Sequence, residues 1–227
     1  GVSTSVELSE ITTDCPTITI CGEETKIVDV TNSTTGDTWM DRNLGASQTA
    51  DSSRDYNAYG ALFQWGRLSD GHECINWTSS TSGTPVNGNT NITSSVDNPG
   101  HSLFITAGSS SDYDWRSPQN NDLWQEVSGT NNPCPDGYRL PTETELDVER
   151  ASWSSNDADG AFDSPLKLTL TGNHNYSGLI TNVGTNGQCW SSTVDGIYGK
   201  RMYYASNYAI INSIYRAFGF SVRCIKD

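Results

Sequence analysis

The sequence predicts an α+β domain of short strands, two helices and long loops. Three observations carry this. Short segments alternate apolar and polar residues at period two, as in KIVDV (26–30), LKLTL (166–170) and GFSVRCI (219–225). A helix start is written at Thr142 and Glu145. Between such signals, Gly, Ser, Thr and Asn fill long stretches without any period. The 227 residues are enough for one domain with a substantial core, and no internal repeat is visible.

The elements are expected in this order. Residues 1–25 read as a lead-in, with GVSTSVELSEITT extended, and the domain runs from 26 to 227. KIVDV and TWMDRNL (38–44) form a hairpin around the turn signal TNSTTGD (31–37). In YNAYGALFQWGR (56–67), Tyr59, Leu62, Phe63 and Gly66 fall at i, i+3, i+4 and i+7, which predicts a short helix despite Gly60. Residues 76–121 are expected to be one long loop insertion, and NDLWQEV (121–127) a helical turn with Leu123, Trp124 and Val127 inward. CPDGYRLPTETEL (134–146) gives a turn at Pro135-Asp136-Gly137, an extended piece before Pro141, and a helix from about 143 to 152. LKLTL is the next strand, and GNHNYSG (172–178) a turn. QCWSST (188–193), KRMYYA (200–205) and GFSVRCI are three further strands. In the last, Phe220, Val222 and Cys224 point one way and Ser221, Arg223 and Ile225 the other.

Composition restricts the function. The formal charge is −14, which opposes binding to nucleic acid or an anionic membrane. No apolar run is long enough to cross a bilayer, so membrane insertion is not expected. No signal peptide is visible at Gly1, so the sequence is expected to start after one or to follow another export route. Six cysteines in a loop-rich chain favour disulfides and an oxidising location. The expected bridges are Cys15–Cys21 across CPTITIC, Cys134–Cys224, and Cys74–Cys189 by elimination. Zinc is disfavoured, because no C-x-x-C and no histidine at ligand spacing occurs.

No catalytic constellation is assembled. His72, His101 and His174 stand apart, and the chain lacks a P-loop, a dinucleotide fingerprint and G-x-S-x-G. Asp112, Asp114 and Asp122 lie near Asn120 and Asn121, and NDADGAFD (156–163) resembles part of a calcium loop. It lacks the full spacing and the closing Glu, so a solvated acidic loop and no cofactor are expected. Sequons occur at Asn32, Asn76, Asn91 and Asn175.

The surface chemistry is concentrated in YYASNYAIINSIYRAF (203–218). It matches no structural period cleanly, yet it combines Tyr with Ser and Asn as antibody paratopes do. The alternative is that its tyrosines line a core on a strand broken by bulges, with AIINSIY as one buried strand.

Five blocks now fall in a familiar order: TWMDRNLGA (38–46), YGALFQWGR (59–67), CPDGYRLPTETEL (134–146), CWSST (189–193) and GFSVRCIKD (219–227). Together they resemble the Fibrobacter succinogenes major paralogous domain family from about residue 26 to 227. The resemblance implies a C-type lectin-like fold, the variant related to formylglycine-generating enzymes. Members of that family also serve as variable proteins of diversity-generating retroelements. There a reverse transcriptase copies a template repeat with errors at adenines and so rewrites a C-terminal binding segment. The corresponding variable region here is about 190–224, framed by WSST and GFSVRC. Mutated AAY codons become NNY, which cannot encode Lys, Met, Gln, Glu or Trp, and residues 203–218 contain none of these.

The resemblance carries neither catalysis nor calcium-dependent sugar binding, since the Cys or His constellations and the Glu-Pro-Asn and Gln-Pro-Asp motifs are missing. The expected function is non-enzymatic binding of a protein or glycan ligand on a host or neighbouring cell, from an extracellular, cell-surface or virion location. The expected contacts are Tyr203, Tyr204, Ser206, Asn207, Tyr208, Ile210, Asn212, Ile214, Tyr215, Arg216 and Phe218. The competing readings are a fixed-sequence adhesin or envelope protein of the same family, and a glycan-active or oxidative enzyme on a related fold.

Overall fold

The structure, a computed structural model, describes residues 15–107 and 113–227. The N-terminal lead-in up to residue 14 therefore lies outside the described residues, as does Asp112. The domain is largely β, with two α-helices.

Strands β1 (Thr17–Ile20) and β2 (Glu23–Lys26) form a hairpin through Cys21 and Gly22, both at positive φ. Ile20 enters the core, so the packed domain begins before residue 26. Strands β3 (Asp29–Thr31) and β4 (Thr38–Met40) form the expected hairpin. Next come β5 (Phe63–Gln64), a hairpin of β6 (Ile75–Ser79) and β7 (Ser82–Pro85), and the parallel pair β8 (Asn89–Thr90) and β9 (Phe104–Ile105). β10 (Tyr138–Arg139) precedes helices α1 (Glu143–Ala151) and α2 (Ala158–Asp163). The C-terminal third holds β11 (Asn173–His174), β12 (Ile180–Thr181), β13 (Asn186–Asp195), β14 (Tyr198–Ala205), β15 (Tyr208–Tyr215), β16 (Gly219–Phe220) and β17 (Ile225–Lys226).

The last strands tie the molecule together. β17 sits between β10 and β4 in a four-stranded sheet, and β16 between β11 and β5 in another. The GFSVRCI segment is thus split between two sheets rather than forming one strand. Its alternation survives: Phe220, Val222 and Cys224 enter one apolar cluster, with Trp65 and Trp190, while Ile225 enters a second, with Leu146, Leu166 and Tyr204.

Helix α1 starts as its sequence dictates. The Thr142 hydroxyl accepts from Glu145 N at 3.2 Å, and Glu145 accepts from Thr142 N at 2.7 Å. The second helix is not where its period placed it. Gly60 stands at φ +72, and a Cβ there would lie 2.4 Å from the Leu44 carbonyl oxygen. The chain therefore leaves the helical path after a short 3-10 turn at Tyr56–Ala58. Tyr59, Leu62 and Phe63 are buried all the same, but on turns and a strand. NDADGAFD supplies the second helix instead: Asp157 accepts from the backbone of Asp159 and Gly160, so this is a helix cap and not a calcium loop.

Other expectations also change. The stretch 76–121 contains β7 to β9 and the buried Phe104, Ile105 and Trp115. Residues 121–127 form no helix: Trp124 and Glu126 have positive φ, and Leu123 bridges to Thr130. Leu123 and Trp124 are buried as expected, whereas Val127 is half-buried. LKLTL is not in a ladder, because Lys167 at φ 50 turns the backbone away, although Leu166, Leu168 and Leu170 all reach the core. The turn at 172–178 contains β11.

The disulfides are Cys21–Cys74 and Cys134–Cys224. Cys15 is free and exposed, and Cys189 is free and buried. The expected Cys15–Cys21 bridge fails for a geometric reason. An extended strand of four residues separates the two cysteines, so they lie at opposite ends of β1. Cys189 faces the second core cluster beside Met202 and Tyr204.

Candidate functional site

Most of the run 203–218 is a regular strand–turn–strand that ends at Tyr215, with 216–218 in the turn that follows. β14 and β15 pair from Tyr198↔Tyr215 to Ala205↔Tyr208, and Ser206-Asn207 makes the two-residue turn. β13 completes the sheet on the far side of β14. The period is hard to see in the sequence because both faces carry large side chains.

The inner face is core. Met202, Tyr204 and Ala209 pack with Leu146 of α1 and Ala158 and Ala161 of α2. The Tyr204 hydroxyl donates to the Thr169 carbonyl oxygen at 2.9 Å, and its ring meets Trp153 edge-on. Opposite it stands Gly187, where a Cβ would lie 2.2 Å from the Tyr204 ring. Tyr204 is 1% exposed, so it cannot serve as a contact residue. Arg216 is also buried. It donates to Asn120 O, Asn121 Oδ1 and Gly196 O, and its guanidinium covers the Trp65 ring at 4.5 Å. This arginine pins the 114–121 segment to the β13–β14 turn and is structural.

The remaining expected contacts lie toward solvent to different degrees. Ser206 and Asn207 are exposed at the turn. Tyr208 and Ile210 are 45% and 43% exposed. Tyr203, Asn212, Ile214, Tyr215 and Phe218 are half-buried, and Ile214 and Phe218 also pack against the first core cluster.

Ring contacts join these groups into a ribbon. Tyr208 meets Tyr203 with centroids 5.3 Å apart. The Arg201 guanidinium lies 5.3 Å from the Tyr203 ring and 4.9 Å from Phe220. Phe220 stacks on Phe218, Phe218 meets Tyr176, and Tyr176 meets Tyr113 and Tyr215. Tyr198 closes the series against Tyr215 at 5.3 Å. Burial, with the Tyr208 hydroxyl beside it, pushes the Tyr203 phenol above its ordinary range. Burial also brings the Arg201 guanidinium down to about 10, which leaves it charged.

Five ribbon members were absent from the expected contacts: Tyr113, Tyr176, Tyr198, Arg201 and the buried Phe220. Tyr198 and Arg201 follow once the hairpin register is known, since they oppose Tyr215 and Asn212. Tyr113 and Tyr176 arrive from distant loops, and no local pattern marks them.

Among the described residues two donor clusters outside the hairpin have metal-ligand composition, and neither fits a metal. In Cys21, Glu73 and Cys74 both sulfurs are spent on a disulfide. In Asp70, His72 and Glu73, the His72 Nε2 accepts from Gln64 N at 3.0 Å. Its proton is therefore on Nδ1, which faces Asp70 Oδ1 at 2.8 Å and Glu73 Oε2 at 3.1 Å. Burial raises both carboxyl pKa values, but the bond from His72 and the other partners outweigh it, and both are held below the ordinary range. The trio is a buried strut between the 70–73 loop and β5. Of the acidic groups near Asn120, Asp114 is buried 3.9 Å from Arg216, and Asp122 is exposed.

No family model matches the chain, and no curated protein or solved structure matches it. No helix among the described residues is long and apolar enough to cross a membrane.

Proposed function

We propose that the chain is a non-enzymatic binding protein of C-type lectin-like type, whose β14–β15 hairpin displays a contact surface for a molecule on a host or neighbouring cell. The observation that carries this reading is the aromatic ribbon. It links the turn end of the hairpin, where Tyr208 and Ile210 are 45% and 43% exposed, to the Tyr113, Tyr176 and Tyr215 rings at the other end, while Met202, Tyr204 and Ala209 are locked into the core. Large, rigid rings beside Ser, Asn and Arg offer contact area at small entropic cost. The two disulfides suit an extracellular, cell-surface or virion location.

Diversification by a retroelement belongs to the same proposal. A rewritten segment must vary outward and stay fixed inward. Sequencing this gene from one natural population tests that. Substitutions are expected at codons 203, 206–208, 210, 212, 214, 215 and 218, and not at Tyr204, Ala209, Arg216 or Ala217. An invariant segment with no template repeat nearby would instead favour a fixed-sequence adhesin or envelope protein. The binding role has its own check: fluorescent tetramers of the chain on intact cells. Tyr208→Ala with Ile210→Ala should abolish staining while the melting temperature stays within the small range of surface changes. Undiminished staining would reject the hairpin as the contact surface.

A further inference from the structure

We infer that Arg201 is the charge-reading anchor of this surface, and that it takes the carboxylate of an acidic side chain on a protein partner. The inference rests on the hairpin's being a binding surface. Its own support is the state of this one cation.

Arg201 Nε donates to Asn212 Oδ1 at 3.1 Å, and the guanidinium plane is held by Tyr203 and Phe220. Its two terminal nitrogens donate to none of the described residues, and no described carboxylate lies within ion-pair distance. They are also not among the buried polar atoms that lack a partner, so they reach solvent. The other arginines that are not fully exposed differ. Terminal nitrogens of Arg42, Arg139 and Arg150 reach carboxylates, and those of Arg67, Arg116, Arg216 and Arg223 reach carbonyl oxygens. In a chain with 27 acidic residues against 13 Lys and Arg, an oriented guanidinium without an acidic partner stands out.

A planar fork with both terminal nitrogens free matches a carboxylate bidentately. The rings fix the fork in advance, so little side-chain entropy remains to be lost on binding. A polyanion is the wrong ligand, because the field of a −14 chain repels it, whereas a single carboxylate meets one local cation. A protein side chain fits the flanks better than an acidic sugar. Two residues from Asn212 along the same strand face stands Ile210, an apolar side chain 43% exposed, and the Asn212 amide oxygen is already committed to Arg201.

The test is an NMR titration of the ¹⁵N-labelled chain, following the Arg201 Nε–H and the Tyr203 amide. The probes are aspartate blocked at both termini, blocked asparagine, and N-acetylneuraminic acid. Blocked aspartate should shift both signals saturably, and blocked asparagine should not. Arg201→Gln should weaken the response by about tenfold or more. Arg201→Lys keeps the charge and loses the fork, and should give an intermediate response; melting temperatures confirm that both variants fold. No shift with aspartate, or an equal response in Arg201→Gln, overturns the assignment. A response to N-acetylneuraminic acid alone overturns the protein partner in favour of an acidic glycan. The cell-staining assay with Tyr208→Ala and Ile210→Ala separates the two levels. If staining falls while Arg201 is silent to aspartate, only the carboxylate inference fails. If staining is unchanged, the hairpin reading fails.

Discussion

Tyr204 and Tyr203 are neighbours in sequence with opposite fates, and the difference is a matter of which face each one occupies. Tyr204 donates its hydroxyl to Thr169 O inside the core. Tyr204→Phe leaves that carbonyl without its donor and should cost about 1 kcal/mol in chemical denaturation. Tyr204→Ala also opens a cavity and should cost about 3–5 kcal/mol. The same two changes at Tyr208 should be nearly neutral for stability. Asp114 offers a further test at this scale. Burial raises its pKa to about 6 from the ordinary 3.8, against the lowering effect of Arg216. A raised carboxyl pKa favours the protonated folded state, so this contribution is complete below about pH 4 and is lost as the pH rises through about 6. Asp114→Asn removes the titration. Its stability minus that of the wild type should therefore rise between these pH values, measured by urea unfolding; a flat difference would show that Asp114 ionises normally. Asp29, Asp41 and Glu145 work the other way. Each is held below its ordinary range because bonds from Lys226, Arg42 and Arg139 outweigh burial, so their contributions are lost on acidification.

Among the elements, the ones the sequence made legible are those whose signal is local. The Thr142–Glu145 box is a complete local instruction, and α1 follows it; Thr142→Ala should cost about 1 kcal/mol, read from the denaturation midpoint. The hairpin of β3 and β4 is likewise set by its own turn residues and alternation. Where the reading failed, a tertiary contact overrode a local pattern. The apolar spacing at 56–67 is real, but Gly60 lies against Leu44 O, and close backbone approach wins over helix period. LKLTL alternates toward the core, yet its backbone donors go to Ala161 O and Ser53 O instead of a neighbouring strand. The 76–121 segment looks like loop because its strands are short and its anchors, Phe104, Ile105 and Trp115, are spaced without period. The candidate site was half legible for a related reason. Composition marked the hairpin, while the sorting of Tyr203 from Tyr204 depends on register, and Tyr113 and Tyr176 come from distant loops.

On the scale of the whole molecule, the hairpin is inserted between parts of the chain that close the fold. β13 leads into it, and β16 and β17 follow it, each filling an interior position of a four-stranded sheet. Cys134–Cys224 then fastens the last turn of chain across a separation of 90 residues. The exposed turn end of β14 and β15, around Tyr203, Tyr208 and Ile210, can therefore change without altering either sheet, provided Tyr204, Ala209 and the buried Gly199 are kept. That division needs the scaffold's covalent ties, and the cysteines make it measurable. Under native, non-reducing conditions one thiol per chain, Cys15, should react with a maleimide, because it alone is free and exposed. Cys189 is buried and its thiol is pushed up to about 11 by burial, so it should react only after unfolding. The rate of this second labelling in rising denaturant then reports opening of the layer between the hairpin and the helices. Cys134→Ser with Cys224→Ser should accelerate that labelling, since loss of a native disulfide typically costs about 2–5 kcal/mol. If both free thiols reacted at once in native buffer, the β13–β14 pair that carries Cys189 and Met202 would not be held against the core, and a binding surface on the hairpin would have no rigid support.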